Sequence, residues 1–87
     1  MIQINLTKGF QERYLDKSLY EQSKVDETLD KLGEDPKYPG LHSHRIQKTK
    51  RVWECYIDKS HRVTFEYGKN CIICRNNCRH SIVDRNP

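Results

Sequence analysis

Beyond residue 43 the apolar residues change their spacing to every second position, and this change limits the possible folds more than any other feature. HRIQKT (44–49), RVWECYI (51–57), HRVTFEY (61–67) and CIICRN (71–76) each read as a strand. The connections DKS and GKN have the length and polarity of hairpin loops, so an antiparallel meander is expected. Alternation then assigns faces. Trp53, Cys55 and Ile57 share one side of their strand with Val63, Phe65 and Tyr67 of the next, and Glu54, Tyr56, Arg62, Thr64 and Glu66 point the other way.

Upstream the pattern is different. IQINLT alternates and reads as a first strand, and Phe10, Tyr14, Leu15 and Leu19, then Val25, Leu29 and Leu32, recur near helical spacing. Two amphipathic helices are expected. Ser23 with Asp26 reads as a capping box for the second, and Gly33 suits a left-handed position just past its end. DPKYPG (35–40), with two prolines and a glycine, is a loop. The expected fold is therefore α+β, a small antiparallel sheet with two N-terminal helices on its apolar face. Eighty-seven residues supply one domain, 1–87, with a modest core.

No apolar run approaches the roughly 20 residues needed to span a bilayer, and MIQINLTKGF has no signal-peptide h-region, so a cytoplasmic location without membrane attachment is expected. The four cysteines are then expected as thiols. Three of them, with His80, crowd into CIICRNNCRH. On a strand, Cys71 and Cys74 would stand roughly 10 Å apart on opposite faces. One zinc would need their sulfurs within about 4 Å, in a knuckle turn for which no glycine or proline is present. No metal or other cofactor is expected.

The net charge of +4 is unevenly placed. Residues 1–40 hold six Lys/Arg against eight Asp/Glu, net −2; residues 41–87 hold ten against four, net +6, together with all four histidines. Such a half fits a polyanion such as RNA or DNA, and it fits a solvated basic face equally well.

Strand, two helices, a PGL loop, then H-R-I, W-E-x-Y-I, S-H-R-V-x-F and R-N-x-x-x-H: in this order the motifs resemble the RelE/ParE superfamily of bacterial toxins over nearly the whole chain. The resemblance implies a strongly curved sheet with two helices packed on it. It implies either a RelE-like endoribonuclease that cleaves mRNA, commonly on the ribosome, or a ParE-like inhibitor of DNA gyrase. A member that only binds its antitoxin and operator DNA is a third reading. An antitoxin partner is implied in each case, with operator DNA bound as the toxin–antitoxin complex.

By the same resemblance Arg62 matches the arginine that stabilises the scissile phosphate, and His80 the histidine after the last strand. His44, with His42 as its alternative, lies where histidine-using members place another imidazole. Glu54 and Tyr56 occupy positions where RelE itself presents two lysines. After His80 the chain runs SIVDRNP, without the aromatic residue that many cleaving members carry there, and Tyr56 is the nearest substitute.

RNA carries its own nucleophile, so cleavage requires deprotonation of the 2′-hydroxyl, stabilisation of phosphorane charge and protonation of the leaving 5′-oxygen. Imidazoles serve as acid or base near neutrality, and a guanidinium stays charged and forks onto phosphate oxygens. The expected site is Arg62 for charge, His80 and His44 for proton transfer, and Glu54 as an alternative base. Arg45, Lys48, Lys50, Arg51 and Tyr56 are expected to hold RNA, the cations by tracking phosphates without reading bases. Arg62 could instead pair with Glu54 or Glu66 across strands, and His61 is expected to be structural.

Overall fold

The structure, a computed structural model, describes residues 1–83 together with Arg85 and Pro87. In chain order the elements are β1 (Gln3–Leu6), α1 (Lys8–Leu15), α2 (Leu19–Glu34), β2 (His44–Arg45), β3 (Trp53–Tyr56), β4 (His61–Gly68), β5 (Cys71–Arg79) and the short α3 (His80–Val83). They form a five-stranded sheet in the order β1-β5-β4-β3-β2. β2 to β5 make the expected antiparallel meander, and β1 adds to its far edge parallel to β5. Two helices follow β1, and β5 is reached only after the whole meander, which permits a parallel return.

Phe10, Val25 and Leu32 of the helices pack on Cys55, Val63, Phe65, Ile72 and Cys74 of the sheet, so the period-two face is the core face. The second helix begins earlier than the sequence suggests. Its capping box is Ser18 with Glu21, and the Ser23 hydroxyl instead donates back to the Tyr20 carbonyl within the helix. Gly33 does not take a left-handed position. It stays helical with its carbonyl accepting from Ile2 N at 2.9 Å, and the helix closes at Asp35.

β5 carries the feature that decides the other face. Phe65 lies opposite Cys74 and Thr64 opposite Asn76, so Arg75 is an extra residue. This bulge reverses the alternation beyond it. Asn77, opposite Val63, therefore turns to the core, where its amide donates to the Phe10 carbonyl at 3.0 Å, and Cys78 joins Arg62 on the outer face. That face is not an open polar surface. Ile46, Val52, Cys78 and Val83 form a second small cluster, and Arg62, Thr64 and Asn76 are all buried.

Candidate active site

Strand register brings the expected residues together in two neighbouring rows. His44, Glu54, Thr64 and Asn76 lie side by side across β2 to β5, and Tyr56, Arg62 and Cys78 form the next row toward the β3–β4 turn. Residues 54 and 56 share a face, so Glu54, Tyr56 and Arg62 all point outward, with His44 beside them.

His44 and Glu54 are hydrogen-bonded, Nε2 to Oε1 at 2.8 Å. The other ring nitrogen, Nδ1, lies 2.8 Å from the carbonyl of His42. A carbonyl only accepts, so Nδ1 is the donor there, and both acceptors are satisfied together when the ring carries two protons. Glu54 is largely covered, with 15% of its side chain exposed against 51% for His44, so the carboxylate lies beneath the imidazole.

Tyr56 is the hub of the second row. The Arg62 guanidinium lies over its ring with Cζ 3.5 Å from the centroid, a cation–π stack. His42 leans on the same ring at 4.9 Å and His44 meets it edge-on at 6.4 Å. Arg62 is only 6% exposed. Its Nη1 donates to the carbonyls of Asp58, Lys59 and His61 at 2.7, 3.2 and 3.1 Å. The arginine thus ties down the β3–β4 turn. Neither glutamate pairs with it: Glu54 holds His44, and Glu66 is bridged by Arg75. Among the described residues, Nε and Nη2 of Arg62 have no protein partner.

His80 opens α3, one residue beyond the His61–Arg79 pair, and its backbone N donates to the Ser60 carbonyl at 2.8 Å. It is exposed at the same end of the sheet, and no described contact joins its ring to His44, Glu54 or Arg62. His61 is bound to Asp58, Nδ1 to Oδ1 at 3.0 Å, in keeping with a structural role. Burial raises the Asp58 carboxyl, but hydrogen bonds from the His61 ring and from the Ser60 and His61 amides outweigh it and hold the group below its ordinary range.

The basic residues divide. Arg45 is spent on the loop it precedes, its guanidinium bonded to the Thr49 carbonyl. The Thr49 hydroxyl donates to Ile46 O or Val52 O and accepts from Val52 N, which makes 46–52 a compact loop. Lys48, Lys50 and Arg51 project from it into solvent. Lys48 also flanks an open groove with His44, Arg45 and Glu54.

Cys71 and Cys74 lie on continuous strand, opposite Gly68 and Phe65, and the four cysteines are free thiols. Burial pushes the Cys55 and Cys74 thiols up to about 12, helped at Cys55 by the neighbouring Cys74, so neither offers a thiolate near neutrality. No group of three or more His, Cys, Asp and Glu among the described residues is placed to hold a metal ion.

Two features were less visible in the sequence. The Tyr56–Arg62 stack follows from direct opposition across the hairpin, so the register carried a signal for it. Both imidazoles of LHSHR are used at once, because His42 adopts a left-handed backbone (φ 51°) that turns its ring and its carbonyl toward the site. Only the spacing of the two histidines hinted at that.

Comparison with known proteins supports a toxin fold. No protein-family model and no curated protein matches the sequence. Among solved structures, the chain is similar to a copper-bound mutant toxin from Helicobacter pylori (27% identity, TM-score 0.72), with 93% of this chain and 97% of that one covered. It is similar in fold to the YoeB/ParE toxin from Agrobacterium tumefaciens (12%, TM-score 0.75, 91% and 99% covered). The same holds for a chain of the E. coli DinJ-YafQ toxin–antitoxin complex (9%, TM-score 0.70, 94% and 96% covered).

Proposed function

We propose that this chain, which has the fold of the RelE-like toxin superfamily, is the toxin of a toxin–antitoxin system and cleaves mRNA in the cytoplasm, on the ribosome. The observation that carries the reading is the convergence of His44, Glu54, Tyr56 and Arg62 on one face, with a hydrogen-bonded imidazole–carboxylate pair beside a guanidinium. An antitoxin is its protein partner, and operator DNA is bound by the complex of the two.

In the proposed reaction the Glu54 carboxylate, held in place by His44, takes the proton of the 2′-hydroxyl, and the 2′-oxygen attacks phosphorus. The bond from phosphorus to the 5′-oxygen breaks, and His80 supplies the proton to that leaving oxygen. Nε and Nη2 of Arg62 face the developing phosphorane charge, an interaction worth most in a site where the donors are already fixed. Tyr56 and the Arg62 Nη1 bonds provide that fixing. The products are a 2′,3′-cyclic phosphate and a 5′-hydroxyl. Nucleophile and leaving group are both served by side chains, so the chemistry asks for no metal.

The test uses ribosomes translating a defined message. Cleavage with these termini is expected, it should persist in the presence of a chelator, and gyrase supercoiling should be unaffected. Glu54→Gln should slow single-turnover cleavage by about 10²- to 10⁴-fold, the usual cost of a general base. Arg62→Ala is the poorer probe, because it also releases the β3–β4 turn. Intact message with blocked supercoiling would favour the gyrase inhibitor; intact message with normal supercoiling would favour a binding-only member.

A further inference from the structure

We infer that the groove beside His42, on the edge of the sheet, is a subsite for one unpaired base of the RNA, an inference that rests on the nuclease reading. The groove is lined by Tyr38, Pro39, Trp53, Tyr67, His42 and Ser43, with Lys37 among the lining side chains. Three properties select a nucleobase rather than a general apolar ligand.

The first is its aromatic wall. Trp53 packs on the core and meets Tyr67 edge-on at 5.3 Å, while Tyr38 and Tyr67 are each 46% exposed. Large, half-exposed rings around a slot suit stacking with any base, since every base has a π-face. The second is an unsatisfied polar atom. Ser43 Oγ is buried without a hydrogen-bond partner among the described residues, and Ser43 lines this groove. A hydroxyl donates and accepts, so a base edge would satisfy it once χ1 of Ser43 turns the oxygen, which has almost no accessible surface as it stands, toward the groove. A buried polar group left unpaired otherwise costs stability, so the atom calls for a ligand or water.

The third is position. His42 lines the groove and also rests on Tyr56, on which the Arg62 guanidinium stacks. Trp53 and Tyr67 set the groove on the core side of the sheet while Arg62 lies on the outer side, so a strand with one base in the groove would pass over the sheet edge at His42 before its phosphate reaches Arg62. The surrounding charge is also suitable: Lys37 lines the slot and Lys31 lies over Tyr38 at 5.8 Å, both able to meet a phosphate. Specificity by stacking and one hydroxyl would be modest, in line with a subsite that orders the strand more than it reads sequence.

Trp53 is the chain's one tryptophan, so its emission reports on this groove directly. The probe is a 2′-O-methyl trinucleotide, which cannot be cut, compared with its abasic counterpart of equal charge at physiological ionic strength; anisotropy of a labelled 5′ end reports overall binding. The base-bearing probe should quench Trp53 and the abasic one should not. Tyr38→Leu should weaken binding of the base-bearing probe by about 5- to 100-fold, the range that stacking of one base supports, and leave the abasic probe unchanged. Binding without a change in Trp53, or equal quenching by both probes, overturns the subsite and leaves the nuclease reading standing. If neither probe binds while an antitoxin peptide quenches Trp53, the groove is a protein-docking surface and the subsite is wrong. Failure of every probe to bind overturns the subsite, and intact message in the ribosome assay then decides the nuclease reading separately.

Discussion

At residue scale, His42 is the member of the candidate site with a left-handed backbone. A non-glycine residue at φ 51° is sparsely populated and persists where its surroundings hold it. Here the turn directs the His42 carbonyl at Nδ1 of His44, which leaves Nε2 for Glu54. The backbone, not the ring, is then the positioning element. Glycine adopts this φ freely, whereas a β-branched residue does not. His42→Gly should keep the Nδ1-bonded state of His44, read by the ¹⁵N shifts of its ring, and keep cleavage within a few-fold. His42→Val should disturb both, lowering kcat more than KM. Equal effects of the two substitutions would shift the role to the His42 ring on Tyr56. None of this was legible in LHSHR beyond the presence of two imidazoles. A left-handed histidine has no sequence signature as clear as glycine's, so the spacing left His42 and His44 as alternatives where the fold uses both.

At the scale of elements, periodicity located the strands well because one face of each is dry. β4 and β5 appear where HRVTFEY and CIICRN alternate, and Cys55, Val63, Phe65 and Cys74 are all in the core. HRIQKT was less informative: only His44–Arg45 pairs, because the Thr49 hydroxyl closes 46–52 into a loop that competes with strand. The β5 bulge was invisible, since CRN (74–76) offers no glycine to mark it, and so the side of Cys78 and the burial of Asn77 were not foreseeable. The helix start was legible in principle: Ser18 and Glu21 have capping-box spacing, as did the Ser23–Asp26 pair, and the apolar Leu19 between them drew attention to the wrong side. The β3–β4 turn rests on Asp58, which accepts from Ser60 N at 2.8 Å and His61 N at 2.9 Å. Its carboxyl lies below the ordinary value of 3.8 in the fold, so the stability it gives is present above that value and is lost as pH falls through the lower folded value. Asp58→Ala should cost about 1 kcal/mol in neutral urea denaturation, the scale of one net hydrogen bond, and the difference from the parent protein should shrink in acid below about pH 4. A difference independent of pH would mean that the side chain acts by shape alone.

The whole molecule separates its charge by layer. The segment bearing both long helices is net −2, and the segment that builds the loop 46–52 and β2 to β5 is net +6. The sequence displayed this imbalance but not its placement. Folding sets Lys48, Lys50 and Arg51 on the compact loop beside the groove at His44 and Glu54, while Arg45 and Arg75 are consumed by internal bonds. Apart from Arg62, therefore, the three on the loop are exposed cations close to this groove. Binding of a single strand releases condensed counterions, and log affinity falls with log salt by about 0.7 for each phosphate neutralised. Replacing Lys48, Lys50 and Arg51 together with Ser should weaken binding of an uncleavable RNA across all sequences tested. It should also reduce the salt slope by about 2, with kcat at saturating RNA little changed, because none of the three reaches the reacting atoms. The affinity of the parent and the variant should converge at high salt. A slope that does not change would mean that the strand avoids this loop, and the cations to replace next would be Arg79 and Arg85, which are exposed at the end of β5 and beyond α3.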